Sequence, residues 1–124
     1  MDDEGYHQEA LRRAQVVIDP RKFSEYVLVP GHPSGKDRIF LGTLGFRPLS
    51  IVDARELATI YENQARAQVA SGNVRLAGAI PNGILCTIEV TVRGVPLRTG
   101  RLLRDDILRL ITPFSGFVRR SRRG

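Results

Sequence analysis

The apolar residues follow a helical spacing up to about residue 71 and an alternating spacing from residue 74 onward. The clearest helix is predicted over 51–71, because apolar residues recur there three and four positions apart. They are Ala54, Leu57, Ala58, Tyr61, Ala65 and Val69. Ser50 is a suitable N-cap for this helix, and Gly72-Asn73 ends the pattern as a C-terminal cap does.

Three shorter helices are predicted over residues 5–15, 20–28 and 35–44. Asp19 and Pro20 favour the second of these, as an N-cap followed by proline at the first helical position. Ser34 and Asp37 resemble a shortened capping box at the start of the third, and Gly45 is placed to end it.

Four strands are predicted over residues 74–80, 84–92, 95–103 and 107–112. In the second strand, alternation separates an inward set from an outward set: Ile84, Cys86, Ile88, Val90 and Val92 against Leu85, Thr87, Glu89 and Thr91. Because the turns between the strands are short, we expect an antiparallel meander whose apolar face is covered by the helices. The sequence therefore predicts an α+β fold, with N-terminal helices packed on one face of a four-stranded antiparallel meander sheet.

The chain has 124 residues, enough for one hydrophobic core. We expect residues 1–15 to form an N-terminal helical arm, 16–114 a single α+β domain, and 115–124 a basic, flexible tail. No apolar run approaches the roughly 20 residues that a membrane span needs, and the N-terminus lacks the apolar segment of a secretory signal. The single cysteine, Cys86, excludes an internal disulfide, so we expect a cytoplasmic protein.

The formal net charge is +6, and 17 of the 19 basic residues are arginine. Arginine binds phosphate through two parallel hydrogen bonds and stacks on bases, so a basic surface of this kind is typical of nucleic-acid binding or of binding to an acidic protein. Two causes unrelated to binding would also produce this arginine excess. A GC-rich genome favours arginine, and four of the arginines lie in the last six residues, RRSRRG.

The stretch 26–46, YVLVPGHPSGKDRIFLGTLGF, contains the first candidate site residues, His32 and Lys36. Histidine can act as a general acid or base at neutral pH, and lysine can bind a phosphate. His32 could instead simply fill the turn between two prolines. Lys36 and Arg38 lie unfavourably at a helix start, where an anion is preferred. Either Asp37 or a phosphate could compensate their charge.

The last predicted strand contains a second candidate pair, Arg109 and Thr112. An arginine can neutralise charge on a reacting phosphate, and a threonine hydroxyl can hydrogen-bond it. Strict alternation puts these two side chains on opposite faces unless a bulge intervenes, and an exposed arginine beside a strand-forming threonine would account for them equally well. Cys86 is interpreted as a core residue. No His, Cys, Asp or Glu residues have the spacing of metal ligands, so no metal or cofactor is expected.

Several segments resemble a bacterial domain family of unknown function that lies at the C-terminal ends of polymorphic and contact-dependent inhibition toxins. These segments are DPRKFSEYVL, HPSGKDRIFLGTLGF, the long helix, AIPNG and RLITPF, and they extend over about residues 16–114. The resemblance implies a fold of the barnase–EndoU–colicin–RelE group of ribonucleases. In such enzymes the 2′-hydroxyl of RNA attacks the adjacent phosphate without a metal ion.

By this resemblance, His32 would be the general acid or base, Lys36 and Arg109 phosphate ligands, and Thr112 an orienting hydroxyl. Arg38, Arg98 and Arg101 would bind RNA, with tRNA as one candidate substrate. The resemblance also implies an acidic immunity protein and delivery into the cytoplasm of a target cell as part of a larger toxin. The alternatives are a non-catalytic basic adaptor, which binds RNA or an acidic partner through Arg98, Arg101, Arg109 and the tail, and a small structural protein.

Overall fold

The computed structural model describes residues 3–118, in which it has two α-helices, two short π-helical segments and five strands. The helices are α1 (Asp3–Arg13) and α2 (Ile51–Ser71), and the π-helical segments are π1 (Phe23–Val27) and π2 (Arg38–Thr43). The strands are β1 (Gln15–Val17), β2 (Arg75–Ile80), β3 (Gly83–Val92), β4 (Val95–Arg104) and β5 (Ile107–Phe117). None of the helices in this part of the chain has both the length and the apolar character that a membrane crossing requires.

Helix α2 has the bounds that the sequence predicts. The Ser50 hydroxyl accepts a hydrogen bond from the backbone N–H of Asp53 at 3.1 Å, and Gly72 ends the helix with a φ of 76°. Every member of the predicted apolar stripe is buried or half-buried. The Tyr61 hydroxyl donates to the backbone carbonyl of Pro113 in β5 at 2.8 Å, which ties the helix to the sheet.

The sheet has five strands in the order β1-β5-β4-β3-β2 and is mixed. The α+β class is therefore confirmed, but the prediction of four antiparallel strands is wrong. Strands β2 to β5 form the expected antiparallel meander, and β1 adds a parallel edge strand whose pairs run from Gln15–Ile107 to Val17–Arg109. Strand β1 could not be predicted, because three residues are too few to show an alternating pattern. Its pairing also begins with Gln15 and Ile107, which are 92 positions apart in sequence.

Strand β5 continues to Phe117, beyond its predicted end at Thr112. Its pairing with β4 shifts register between Leu110 and Thr112 and again between Thr112 and Gly116, so the strand contains bulges that interrupt its alternation. Residues 115–117, expected to be part of a flexible tail, thus belong to the sheet, and residues 119–124 of that tail lie outside the described residues. The predicted arm also contributes to the domain, because Leu11 of α1 is buried and Gln15 belongs to β1.

The two shorter central helices lie where the sequence predicts them, but both are π-helical. They bury their apolar residues in the common core, Phe23 and Val27 from π1 and Phe40 from π2. The predicted capping box of π2 is wrong, because the Asp37 carboxylate accepts a hydrogen bond from the backbone N–H of Gly31 at 2.8 Å. It is therefore not directed toward Ser34.

One face of the sheet is covered by the helices, and the opposite one is called the open face here. Alternation along β3 is as predicted, with Cys86, Ile88, Val90 and Val92 buried on the covered face. The open face carries exposed side chains, among them Glu89, Arg98 and Arg109. The core also contains three polar residues, Asp53, Thr99 and Arg101. The surface position expected for Arg101 is wrong, because its side chain is 0% exposed.

Candidate functional site

Short-range hydrogen bonds within residues 31–37 build the turn that carries His32 and Lys36. Besides the contact from Gly31 to Asp37, the backbone N–H of Ser34 donates to His32 Nδ1 at 3.1 Å. The backbone N–H of Lys36 donates to Ser34 Oγ at 3.2 Å. Gly35 adopts a φ of 74°, a left-handed conformation that favours glycine. These bonds hold both candidate side chains in one defined turn.

Lys36 and Thr112 are brought together although 76 positions separate them. The distance from Lys36 Nζ to Thr112 Oγ1 is 2.9 Å, and the contact is partly buried. The Thr112 hydroxyl also lies 3.1 Å from the backbone carbonyl oxygen of Phe114, to which it donates. Because that proton is already used, the Thr112 oxygen accepts from the ammonium group, so Thr112 holds Lys36 in place.

His32 and Lys36 both lie against the ring of Tyr26. The imidazole is stacked on this ring with a centroid distance of 4.7 Å and an interplanar angle of 14°, and Lys36 Nζ lies 5.4 Å from the same centroid. The imidazole centroid and the ammonium nitrogen are therefore separated by no more than the sum of these two distances. We call the four residues Tyr26, His32, Lys36 and Thr112 the turn cluster.

The ammonium group of the turn cluster is not neutralised by an acid. Lys36 forms no ion pair with any side chain of residues 8–118, and the nearest acidic residue in sequence, Asp37, is bonded to Gly31. Lysine has three N–H donors, of which Thr112 takes one. The remaining donors can bind an anion that enters beside Tyr26.

The bulge in β5 removes the objection that Arg109 and Thr112 point to opposite faces. Arg109 pairs with Leu102 and Thr112 pairs with Gly100, and these partners are two residues apart and thus on the same face of β4. Arg109 is nevertheless not part of the turn cluster. It is exposed beside a depression of about 250 Å³, whose remaining lining residues are Leu102, Arg104, Asp105 and Ile107.

The three residues predicted to bind RNA have different environments. Arg38 is exposed at the start of π2. Arg98 is exposed on the open face, where its guanidinium lies against Gly116 and forms no ion pair with its register partner Glu89. Arg101 is the third and is buried, so it cannot contact RNA in this conformation. Its Nε donates to Thr99 Oγ1 at 3.0 Å, while its two terminal nitrogens have no partner in the described chain.

One depression in the described part of the chain lies away from the turn cluster. It has a volume of about 580 Å³ and lies between the C-terminal end of α2 and strands β2 to β4, with Gln68, Arg75, Glu89 and Arg98 among its lining residues. Its walls carry both signs of charge, and none of the four turn-cluster residues lines it. The turn cluster is therefore identified by the contacts of Lys36 and not by the size of a depression.

Sequence reasoning missed two residues of the site, Tyr26 and Ser34 in its role beside His32. The signal for Ser34 was its position two residues after His32, because a serine there can bond back to the ring. Nothing in the linear pattern distinguishes Tyr26 from a core aromatic residue, since its contact with His32 depends on how the turn folds back.

No group of three or more His, Cys, Asp or Glu side chains within residues 8–118 is arranged to hold a metal ion. Comparison of the chain with protein-family models, with curated proteins and with solved structures finds no significant match. The site must therefore be interpreted from its own contacts.

Proposed function

We propose that this protein is a metal-independent endoribonuclease, which cleaves RNA by attack of a 2′-hydroxyl on the adjacent phosphate. The observation that carries the proposal is the contact of 2.9 Å between Lys36 and Thr112, with His32 against the same aromatic ring as Lys36. Lys36 would supply the cation and His32 the titratable group that phosphodiester chemistry uses, and both lie against the ring of Tyr26.

In this reaction the 2′-oxygen forms a bond to phosphorus and the bond from phosphorus to the 5′-oxygen breaks. The 2′-hydroxyl loses a proton, the departing 5′-oxygen gains one, and a 2′,3′-cyclic phosphate remains. Lys36 would stabilise the negative charge on the phosphate, and Thr112 would keep its ammonium group in position. His32 would supply the ring that exchanges a proton or a hydrogen bond with the reacting oxygens.

The rest of the RNA would lie along the open face. Arg109 shares that face with Thr112, and Arg98 is exposed there without an ion pair to Glu89. Each could bind a phosphate beside the one that reacts. The net charge of +6 favours a polyanion in general, so binding should weaken as salt is raised.

Incubation of the purified protein with total tRNA in EDTA tests the proposal. We expect fragments that end in cyclic phosphate. His32→Ala and Lys36→Met should each lower the cleavage rate by about 10²-fold or more. Ser115→Ala is the matched control, because Ser115 is an exposed residue of β5 outside the turn cluster. Intact RNA at high protein concentration, or a His32→Ala variant as active as the parent, would contradict the proposal.

The second candidate is a non-catalytic basic adaptor, which Arg98 favours because it is exposed and forms no ion pair with the side chains of residues 8–118. An adaptor would bind RNA, or an acidic protein such as an immunity partner, with a steep dependence on salt and without products. Substitution of Arg98 and Arg109 by glutamine should then abolish binding, while His32→Ala should leave it unchanged. Cleavage and binding measured on the same variants therefore separate the two functions.

A further inference from the structure

The hydroxyl of Ser34 lies between the two candidate residues of the turn. Ser34 Oγ is 2.9 Å from His32 Nδ1 and accepts a hydrogen bond from the backbone N–H of Lys36 at 3.2 Å. The backbone N–H of Ser34 also points to His32 Nδ1, at 3.1 Å. Two groups of a single residue thus meet one nitrogen of the imidazole.

These contacts determine where the ring carries its proton. A backbone N–H can only donate, so Nδ1 must present its lone pair to Ser34. The Ser34 hydroxyl, which accepts from Lys36, is free to donate its own proton to Nδ1 as well. A neutral imidazole has one proton, and in this arrangement it must be on Nε2.

We infer that Ser34 is a positioning residue that holds His32 as an Nε2–H donor, an inference that rests on the proposed ribonuclease function. In this tautomer the nitrogen that faces away from the turn already has a proton. It can therefore donate a hydrogen bond to an oxygen of the phosphate, and it cannot accept the proton of the 2′-hydroxyl. His32 then stabilises charge together with Lys36, while water takes the proton of the 2′-hydroxyl and supplies the proton that the departing 5′-oxygen gains.

The tautomer can be measured without any activity. His7 is the second histidine of the chain, so a His7→Gln variant labelled with ¹⁵N leaves His32 as the sole imidazole. Long-range ¹H–¹⁵N spectra at alkaline pH, where imidazole is neutral, should show an unprotonated Nδ1 and a protonated Nε2. Ser34→Ala keeps the backbone N–H at Nδ1 and loses only the hydroxyl, so it should weaken the preference for Nε2–H without abolishing it. Ser34→Thr, which keeps the hydroxyl, should restore the parent pattern. A predominantly protonated Nδ1 in the parent would overturn the inference.

Cleavage measurements test the donor role separately. His32→Gln keeps an amide N–H near the position of Nε2 but cannot act as a base. It should retain cleavage to within about tenfold, whereas His32→Ala should lose about 10²-fold to 10³-fold. Ser34→Ala should lose about tenfold, as for one hydrogen bond. Equal inactivity of the Gln and Ala variants would overturn the donor role. If the parent cleaves no RNA, the proposed function fails, while the NMR spectra still decide the tautomer.

Discussion

Replacement of Arg101 by methionine should stabilise the protein, because this arginine is a buried cation that pairs with no acidic side chain of residues 8–118. Its side chain is 0% exposed, and its terminal nitrogens have no hydrogen-bond partner in the part of the chain that the structure describes. Burial lowers the pKa of Arg101 from the ordinary arginine value to about 10, and Tyr61 acts in the opposite direction. The folded state thus disfavours the charged form that exists at neutral pH.

The difference between these pKa values corresponds to about 3 kcal/mol against folding. Because the folded-state pKa is the lower one, this penalty is fully present below pH 10 and declines as the pH rises from there toward the ordinary arginine pKa. Methionine has an unbranched side chain that can fill most of the same space. The substitution loses the hydrogen bond to Thr99, worth about 1 kcal/mol, and leaves a small void. We therefore expect a net gain of about 1–2 kcal/mol, in line with the general effect of replacing buried charges by apolar residues.

Urea unfolding followed by far-UV circular dichroism at neutral pH measures this gain. Arg109→Met is the matched control, because Arg109 is exposed on the adjacent strand and its loss should change the free energy of unfolding by less than about 0.5 kcal/mol. A loss of more than about 1 kcal/mol in Arg101→Met, with an unchanged control, would refute the reasoning. It would mean that the guanidinium has a partner in the folded protein, such as a buried water or an anion.

Three further predictions concern packing and ionisation. Gly83→Ala should cost about 1–3 kcal/mol more than Gly78→Ala in urea unfolding, because a Cβ at Gly83 would overlap the carbonyl oxygen of Leu103 while one at Gly78 meets no atom within 4 Å. Equal costs would contradict this packing. Cys86 in the native protein should react with a thiol reagent far more slowly than in the unfolded chain, because it is 2% exposed and burial raises its thiol pKa to about 11. Similar rates in the two states would indicate a core that opens readily. Asp53→Asn should lower the melting temperature at neutral pH. Hydrogen bonds from Arg47 lower the pKa of Asp53, so the folded state favours the charged carboxylate that asparagine lacks. The difference in melting temperature between the parent and Asp53→Asn should disappear as the pH falls from 3.8 through the lowered pKa of Asp53. A difference that persists at still lower pH would show that the charge of Asp53 is not its cause.

The parts of the fold that were predictable have their signals close together in sequence. Helix α2 carries its own N-cap at Ser50, its own C-terminal glycine at Gly72 and a continuous apolar stripe, so its bounds could be predicted without knowledge of its neighbours. Strand β1 is the opposite case. Val16 and Val17 are suited to a strand, but only pairing with β5 makes them one.

The burial of Arg101 could have been predicted from alternation. In the strand 95–103, Arg101 is in phase with Leu97, Thr99 and Leu103, all of which are buried. The charge of Arg101 favours a surface position, whereas its position in the alternating pattern of the strand favours the core. The alternation is the better guide because every second side chain from Leu97 to Leu103 in β4 is buried in the core, whatever its chemistry.

The candidate site was predictable in its residue types and not in its geometry. His32 and Lys36 stand out in the sequence as rare titratable residues in a turn, and Thr112 has no such mark. The contact between Lys36 and Thr112 depends on the bulge in β5, which no local pattern predicts. Arg109 is close to Thr112 in sequence, which suggests the same site, but it lies beside a separate depression.

A glycine in the neighbouring strand explains how Thr112 can occupy its position. Gly100 pairs with Thr112, and a Cβ on Gly100 would lie 2.8 Å from Thr112 Cγ2, closer than two carbon atoms can approach. Thr112 could relieve that overlap by turning about its Cα–Cβ bond, but the same rotation would carry Oγ1 away from Lys36 Nζ. The absence of a side chain at residue 100 is thus a condition for the ammonium group to be held where it is. The fold and the candidate chemistry meet at this pair of residues, because the packing of β4 against β5 determines the position of the cation.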